Sequence, residues 1–386
     1  MNGAPARGRD CWHVPKGGVP AKLEEPGTRT GTIPVTGAVP HGASPRPGGR
    51  PRRRIGYHAS HEQTPPEELL RLVQRAEAAG FDAVLSSDHL APWGVAQGHA
   101  GHAWSWLGAA LAATTLPFGV VTAPGQRYHP VVTAQAVATL SRMFPGRFWA
   151  AYGSGEALNE HVTGDAWPSH EERRQRLRSS VQIIRALLAG ETVSADDPVR
   201  VHEARIWSRP AQPPPVIAAA VSEQTAAWAA GWAEGLITVG SDPQQTAAVL
   251  EAYRGRGGRG EAMLQIHVSL ARTDEEALRI AQEQWRQATV PAEQMWDLEH
   301  PEHFDARSDP RPEAMRGAVA ISSSPRLLAD RIAEAARGFD QVHIHHVGLD
   351  QDAFLDQAPE LLGALRERLH AAAAPPEPGR PPQEHG

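Results

Sequence analysis

The chain has 386 residues, 41% of them hydrophobic and 21% charged, and a formal net charge of −6 at pH 7. That balance suits a soluble globular protein with a sizeable core, and the mild acidity, with no basic block beyond the N-terminal stretch, argues against a nucleic-acid groove or a membrane-binding face. The single cysteine, Cys11, rules out a disulfide framework and a Cys-rich metal site, and no run of about 18 apolar residues is present to form a transmembrane helix.

Residues 1–52 are rich in Gly, Pro, Arg and Thr without apolar periodicity, so they are expected to be a disordered extension: such a segment buries too little surface to offset its ordering entropy. The stretch 371–386, AAAAPPEPGRPPQEHG, has the same character and is expected to be a disordered tail. The folded domain is expected over 54–370. Arg53 and Arg54 are not followed by an apolar h-region, so no secretory signal is expected and the location is expected to be cytoplasmic.

Within the domain, RIGYH (54–58) is a short apolar run suited to a buried strand. The helix that follows has Pro at its start, Glu67 and Glu68 in its first turn, Leu69, Leu72, Val73 and Ala76 on one face, and Gly80 as its stop. FDAVLSSDH (81–89) and LPFGVVTAP (116–124) are the next strands, the latter leading into the helix VVTAQAVATLSRMF. GRFWAAYGSGE (146–156) runs from apolar to Gly-rich and acidic, before a long helix near 171–190. PPVIAAA (214–220), GLITVG (235–240), MLQIHVSLA (263–271) and QVHIHHVG (341–348) complete eight strands. Apolar strands alternating with helices imply a parallel sheet covered on its outside, and about eight of them favour a closed (β/α)8 TIM barrel over an open sheet. The segment 289–313 breaks the rhythm and is expected to be an insertion before the last strand.

In such barrels the active site lies at the C-terminal ends of the strands. The first strand runs into His58, His61 and Glu62; the second into Ser87, Asp88 and His89, with Trp93 soon after; the third into Thr122; the fourth into Gly153, Ser154, Gly155 and Glu156. Acids, a histidine and an indole beside a Gly-rich turn suit proton-coupled redox chemistry, and glycine allows close approach to a flat ring or phosphate. Ordinary structural roles are open to the same residues. Asp88–His89 can cap a helix, Glu156 can serve a helix dipole as a first-turn acid, and Trp93 can be core. The GSGE turn lacks the dinucleotide spacing and the P-loop lysine. In the run 343–346, His343 and His345 share a strand face while His346 points away, so no metal site is expected.

Four blocks, GYHASHEQ (56–63), SSDHLAPW (86–93), RYHP (127–130) and GSGEALNE (153–160) followed by Thr163–Gly164, resemble the corresponding blocks of the luciferase-like monooxygenase superfamily, in its F420-dependent glucose-6-phosphate dehydrogenase branch. The resemblance is collinear from about Ile55 to Leu369. It implies a hydride-transferring oxidoreductase of the bacterial luciferase-like barrel, with a small-molecule substrate, FMN or F420 as cofactor, and a homodimer built through barrel helices. It implies that His89 is the general base, that Trp93 and Glu62 shape the site, and that Glu156 acts near the ring's N1 edge. It sets Asp88, Val121, Thr122, Gly153, Ser154, Gly155, Glu156, Ala220 and Val221 against the cofactor, and it implies a non-prolyl cis peptide near Val121–Thr122. The chain departs from that branch in four places. The 116–130 stretch is one residue shorter, Val221 replaces a glycine, Ser241 and Asp242 stand where a lysine holds the sugar phosphate, and Arg316 alone retains a phosphate-binding position. An acid in place of a phosphate-binding cation reverses the electrostatics, so a substrate other than glucose 6-phosphate is expected. An FMN-dependent monooxygenase and a non-catalytic flavin-binding barrel are the alternatives.

Overall fold

The eight apolar runs become parallel strands that close on themselves. The computed structural model describes residues 53–371. In chain order the strands are β1 (Arg54–Ala59), β2 (Ala83–Ser87), β3 (Phe118–Thr122) and β4 (Phe148–Tyr152), then β5 (Val193–Ala195) and β6 (Val201–Ala204), β7 (Val216–Ala219), β8 (Gly235–Val239), β9 (Glu261–Leu270), β10 (Ala320–Ser322) and β11 (Gln341–His346). The cylinder runs β1-β2-β3-β4-β7-β8-β9-β11, and β11 returns to pair in parallel with β1 from Arg54↔Gln341 to Tyr57↔Ile344. This is the expected (β/α)8 barrel. Two elements go beyond the expectation. β5 and β6 form an antiparallel hairpin outside the barrel, and β10 adds a short rung beside the end of β9.

Local rules set the helix boundaries. Helix Pro66–Ala79 opens on Pro with Glu67 and Glu68 in its first turn and ends where Gly80 turns left-handed at φ 97. Helix His170–Ala189 begins with a capping box, Ser169 and Glu172 each accepting from the other's backbone N–H, a device worth about 1 kcal/mol. The insertion between β9 and β11 carries three short helices, Ala292–Met295, Pro301–Arg307 and Pro312–Ala318. Ala371, the first residue of the expected tail, is the last of helix Gln351–Ala371; the rest of that tail, the expected 1–52 extension and Cys11 lie outside the described residues.

Alternation along each strand divides the core into two parts. Outward residues such as Ile55, Tyr57, Phe118, Val120, Val342 and Ile344 pack against the helix layer, while Leu85, Trp149, Ala151, Ile217, Ile237 and Met263 fill the cylinder. Large rings fit inside only because two facing positions are glycine. A Cβ on Gly56 would lie 2.1 Å from His343 Nδ1, and one on Gly119 would lie 2.1 Å from the Trp149 ring. His343 and His345 point into the cylinder, whereas His346 stacks on Phe354 of the outer helix layer, ring centroids 4.7 Å apart. The cis peptide implied near Val121–Thr122 is absent. The cis bond among the described residues is Asp197–Pro198, and β3 stays in regular register with β4 through Val121↔Ala151 and Thr122↔Tyr152, a ladder that the shorter turn leaves unbroken.

The interior imidazoles have a consequence for stability. Burial lowers the pKa of His58 and His343 to about 3 and of His267 to about 4, and takes His345 well below its ordinary value. The unfolded chain binds these protons at an ordinary pKa of about 6.5, so the stabilisation is complete above that pH and is lost as pH falls below it. We expect the denaturant midpoint to drop progressively from about pH 6.5 to about pH 5, before ordinary carboxylates titrate; a midpoint unchanged over that interval would contradict the assignment.

Candidate active site

The loops leaving the first four strands converge on one rim of the cylinder. The loop after β1 is buried from Ser60 to Thr64, which sets Glu62 beneath the loop that leaves β2. There Glu62 accepts hydrogen bonds from His89 Nδ1 and, at 2.7 Å, from Ser60 Oγ. A carboxylate can only accept, so the bond fixes a His89 proton on Nδ1 and leaves Nε2 unprotonated in the neutral ring. Nε2 lies 3.5 Å from Glu156 Oε1. Glu156 heads the short helix Ala157–Glu160 but makes no cap with its side chain. Instead it accepts from Asn159 Nδ2, while Asn159 Oδ1 accepts from the backbone N–H groups of Leu90 and Ala91. Asn159 thereby ties the β4 loop to the β2 loop. Burial opposes charge on His89, but Glu62, through its charge and hydrogen bond, and Glu156 outweigh burial and raise the pKa. Burial also opposes charge on Glu62; His89 outweighs it and holds the carboxyl down at about 2.

Asp88 faces a different network. Its side chain is fully enclosed. Thr122 Oγ1 and Trp104 Nε1 each donate to Oδ2 at 2.9 Å, and the Tyr128 hydroxyl donates to Oδ1 at 3.3 Å. An Arg127 guanidinium nitrogen donates to the Asp88 carbonyl at 2.6 Å and lies 3.6 Å from Oδ1. The Arg127 backbone N–H donates to Glu160 Oε2 at 2.6 Å. Burial raises the Glu160 carboxyl to about 7. Asp88 is therefore an anchor that joins the loops after β2 and β3 rather than a group presented to the opening. No helix begins at Asp88–His89, so the capping role is not taken up; the next helix is Ala103–Ala113.

Above this pair, Trp93 stands edge-on between His89, at 5.0 Å, and Phe304 of the insertion, at 5.3 Å. The insertion is held over the rim by the Ala157 N–H to Trp296 O bond of 2.9 Å and by Val95 N–H to Asp305 Oδ2 at 3.1 Å. Inside the rim, the half-buried strand tips Val121, Gly153, Ala219 and Val239 leave a shallow floor of small and apolar groups. Of the predicted residues, Glu62, His89, Trp93 and Glu156 meet directly, Thr122 binds Asp88, and Gly153, Ser154 and Gly155 form the turn beside them. Ala220 turns away into the outer core with Ala226 and Leu236, and Ala219 takes the inward position. Ser241 and Asp242 have structural tasks: Ser241 Oγ donates to Ala318 O at 2.7 Å, and Asp242 caps helix Pro243–Gly255. Arg127, Tyr128, Asn159 and Glu160 were visible in the sequence blocks, yet nothing local to them announced their partners.

A family model described as luciferase-like monooxygenase matches residues 52–341. The chain is 36% identical to an F420-dependent glucose-6-phosphate dehydrogenase of Beutenbergia cavernae over 331 residues, covering 82% of this chain and 98% of that protein. It is 37% identical to one from Nakamurella multipartita over 320 residues, covering 79% and 94%. Among solved structures, an F420-dependent secondary alcohol dehydrogenase in complex with an F420-acetone adduct superposes with a TM-score of 0.75 at 26% identity, covering 81% of this chain and 99% of that one.

The electrostatics yield a direct test. Replacing Glu62 by Gln removes the carboxylate charge that raises His89 and leaves only a neutral amide oxygen as acceptor, so burial is opposed chiefly by Glu156. Imidazole NMR titration is expected to place His89 above about 6.5 in the parent protein and clearly lower in Glu62→Gln. An unchanged His89 titration would remove Glu62 from control of that ring.

Proposed function

The chain belongs to the luciferase-like monooxygenase family and is an oxidoreductase, and on that premise we propose that it oxidises a small, uncharged alcohol by hydride transfer to the deazaflavin F420, or to FMN in its place. The observation that carries this reading is the His89 ring, with Nδ1 bound to Glu62 and Nε2 3.5 Å from Glu156 Oε1. Oxidation of an alcohol releases a hydride from carbon and a proton from oxygen. When bound, a deazaflavin or flavin ring supplies the hydride acceptor. The floor formed by Val121, Gly153 and Ala219 offers small, half-buried surfaces to such a flat ring, and Gly155 holds a left-handed φ of 78 in the adjoining turn.

His89 Nε2 takes the hydroxyl proton as the carbonyl forms, and the Glu62 carboxylate stabilises the resulting imidazolium across Nδ1. Glu156, 3.5 Å from Nε2, would govern the charge of a ring bound beside it, and Trp93 packs edge-on against His89 and holds its ring in place. Charge favours a substrate without a phosphate. The ion pairs that Glu62, Asp88, Glu156 and Glu160 make among the described residues are with Arg127 and His89, Ser241 and Asp242 are engaged elsewhere, and Arg316 is exposed on the insertion. A monooxygenase reaction would use the same barrel, but a histidine fixed as a proton acceptor favours dehydrogenation.

Titration with F420 and with FMN is expected to show saturable binding of at least one; affinity for neither would sink the proposal. With the competent cofactor, His89→Ala is expected to abolish turnover across a panel of alcohols, and Glu156→Gln to slow it by roughly 10²–10⁴-fold while leaving the fold intact. An effect of Glu156→Gln below about threefold would remove Glu156 from the chemistry. Substrate-dependent oxygen uptake with reduced FMN would assign the chain to the monooxygenases.

A further inference from the structure

The part of the rim formed by β9 and β11 carries polar groups that the His89–Glu62 pair does not use. Alternation along β9 points Met263, Gln265 and His267 into the cylinder. Met263 is buried, whereas Gln265 and His267 are half-buried, and inside a closed cylinder exposed surface opens toward an end. Gln265 pairs with Val239, the last residue of β8, and His267 pairs with His345 near the end of β11, so both stand at the rim. His345 connects them to the His89 side. Its ring lies 5.2 Å from that of His267, and its Nε2 is hydrogen-bonded at 2.9 Å to Gln63 Oε1. Glu62, the neighbour of Gln63, holds His89. Gln265 and His267 therefore face the same opening as His89, from the β9 side.

The two side chains are matched to a hydroxyl. An amide nitrogen can only donate, so the 3.4 Å contact between Gln265 Nε2 and His267 Nε2 makes the ring nitrogen the acceptor and, in the neutral ring, puts the proton on Nδ1. Burial keeps that ring neutral and lowers its pKa to about 4, although Glu62 opposes the shift. His267 Nδ1 is then a donor and Gln265 Oε1 an acceptor. Neither atom has a hydrogen-bond partner among the described residues, and neither is enclosed. A donor beside an acceptor, without charge, satisfies a group that both accepts and donates; a hydroxyl does so, and a phosphate, carboxylate or ammonium does not. The Trp285 ring, 4.9 Å from His267 and 4.4 Å from His345, backs the two imidazoles.

We propose that Gln265 and His267 are specificity-determining residues that bind a second hydroxyl of the substrate, so that the preferred substrate is an uncharged diol or higher polyol rather than a simple alcohol. The inference rests on the functional reading above, which places the reacting hydroxyl at His89. Discrimination has a physical basis: a methyl group set against the pair strips water from both polar atoms and leaves them without partners.

The test measures kcat/KM for 1-propanol, 1,2-propanediol, 1,3-propanediol, glycerol and erythritol, with whichever of F420 and FMN the protein binds. At least one polyol is expected to exceed 1-propanol by about tenfold to a hundredfold. Gln265→Leu and His267→Phe are each expected to lower that ratio by about fivefold to thirtyfold; the phenyl ring preserves the packing on Trp285 and His345. Should His267→Phe impair folding, His267→Asn and Gln265→Leu carry the same expectation. A parent protein that turns over 1-propanol as well as every polyol, or variants whose ratio equals the parent's, overturns the assignment and leaves the functional reading standing. Loss of cofactor affinity in the variants at an unchanged ratio gives the pair to the cofactor and overturns the assignment as well. Absence of turnover of all five alcohols with either cofactor overturns the functional reading and the assignment with it.

Discussion

The parallel ladder between β11 and β1 is the contact on which the remaining geometry depends. An open sheet of eight strands would leave two edges and spread its loops along a line. Closing Gln341–Ile344 onto Arg54–Tyr57 removes those edges and brings the C-terminal ends of β1, β2, β3 and β4 round a common rim. The closure is sterically specific, because His343 occupies the space that Gly56 leaves empty. It also encloses His58, His343 and His345 away from water, which keeps those rings neutral and makes the fold sensitive to acid.

Charge then separates two tasks among neighbouring residues. An isolated buried carboxylate is costly, so each acid on the rim has its own compensation. Asp88 is surrounded by donors from Thr122, Trp104 and Tyr128, with Arg127 alongside, and holds loops together. Glu62 is compensated mainly by His89, a partner that can gain or lose a proton. The same arrangement that stabilises Glu62 therefore orients a base. Arg127 supports both tasks, because it joins the Asp88 loop to Glu160 and so to the turn that presents Glu156.

The barrel was legible because strands buried on both faces are continuous apolar runs, and because Pro and Gly punctuate the helices between them. The β5–β6 hairpin was not, since VSA and VHEA are short and largely exposed and carry no alternation strong enough to register. Glu62, His89, Trp93 and Glu156 could be singled out as polar or aromatic groups at strand ends, although a cap, a first-turn acid or core packing accounted for His89, Glu156 and Trp93 equally well at that level. The second network could not: Arg127 meets Asp88 across 39 residues and Glu160 across 33, and such pairings follow only once β2, β3 and β4 lie side by side in the sheet. Resemblance added the residue roles, but it also suggested a cis peptide that the described residues lack, and it set Ala220 where Ala219 faces inward.

The central claim is that His89 Nε2 accepts the proton released as the alcohol is oxidised. The most direct measurement is the pH dependence of kcat/KM for alcohol oxidation, which reports the free enzyme. A base must be unprotonated to act, so the rate is predicted to rise with pH through a single step whose midpoint lies above about 6.5, the value raised by Glu62 and Glu156, and that step is predicted to move to lower pH in Glu62→Gln. A profile without that step, or one whose midpoint is unmoved by Glu62→Gln, would contradict the account.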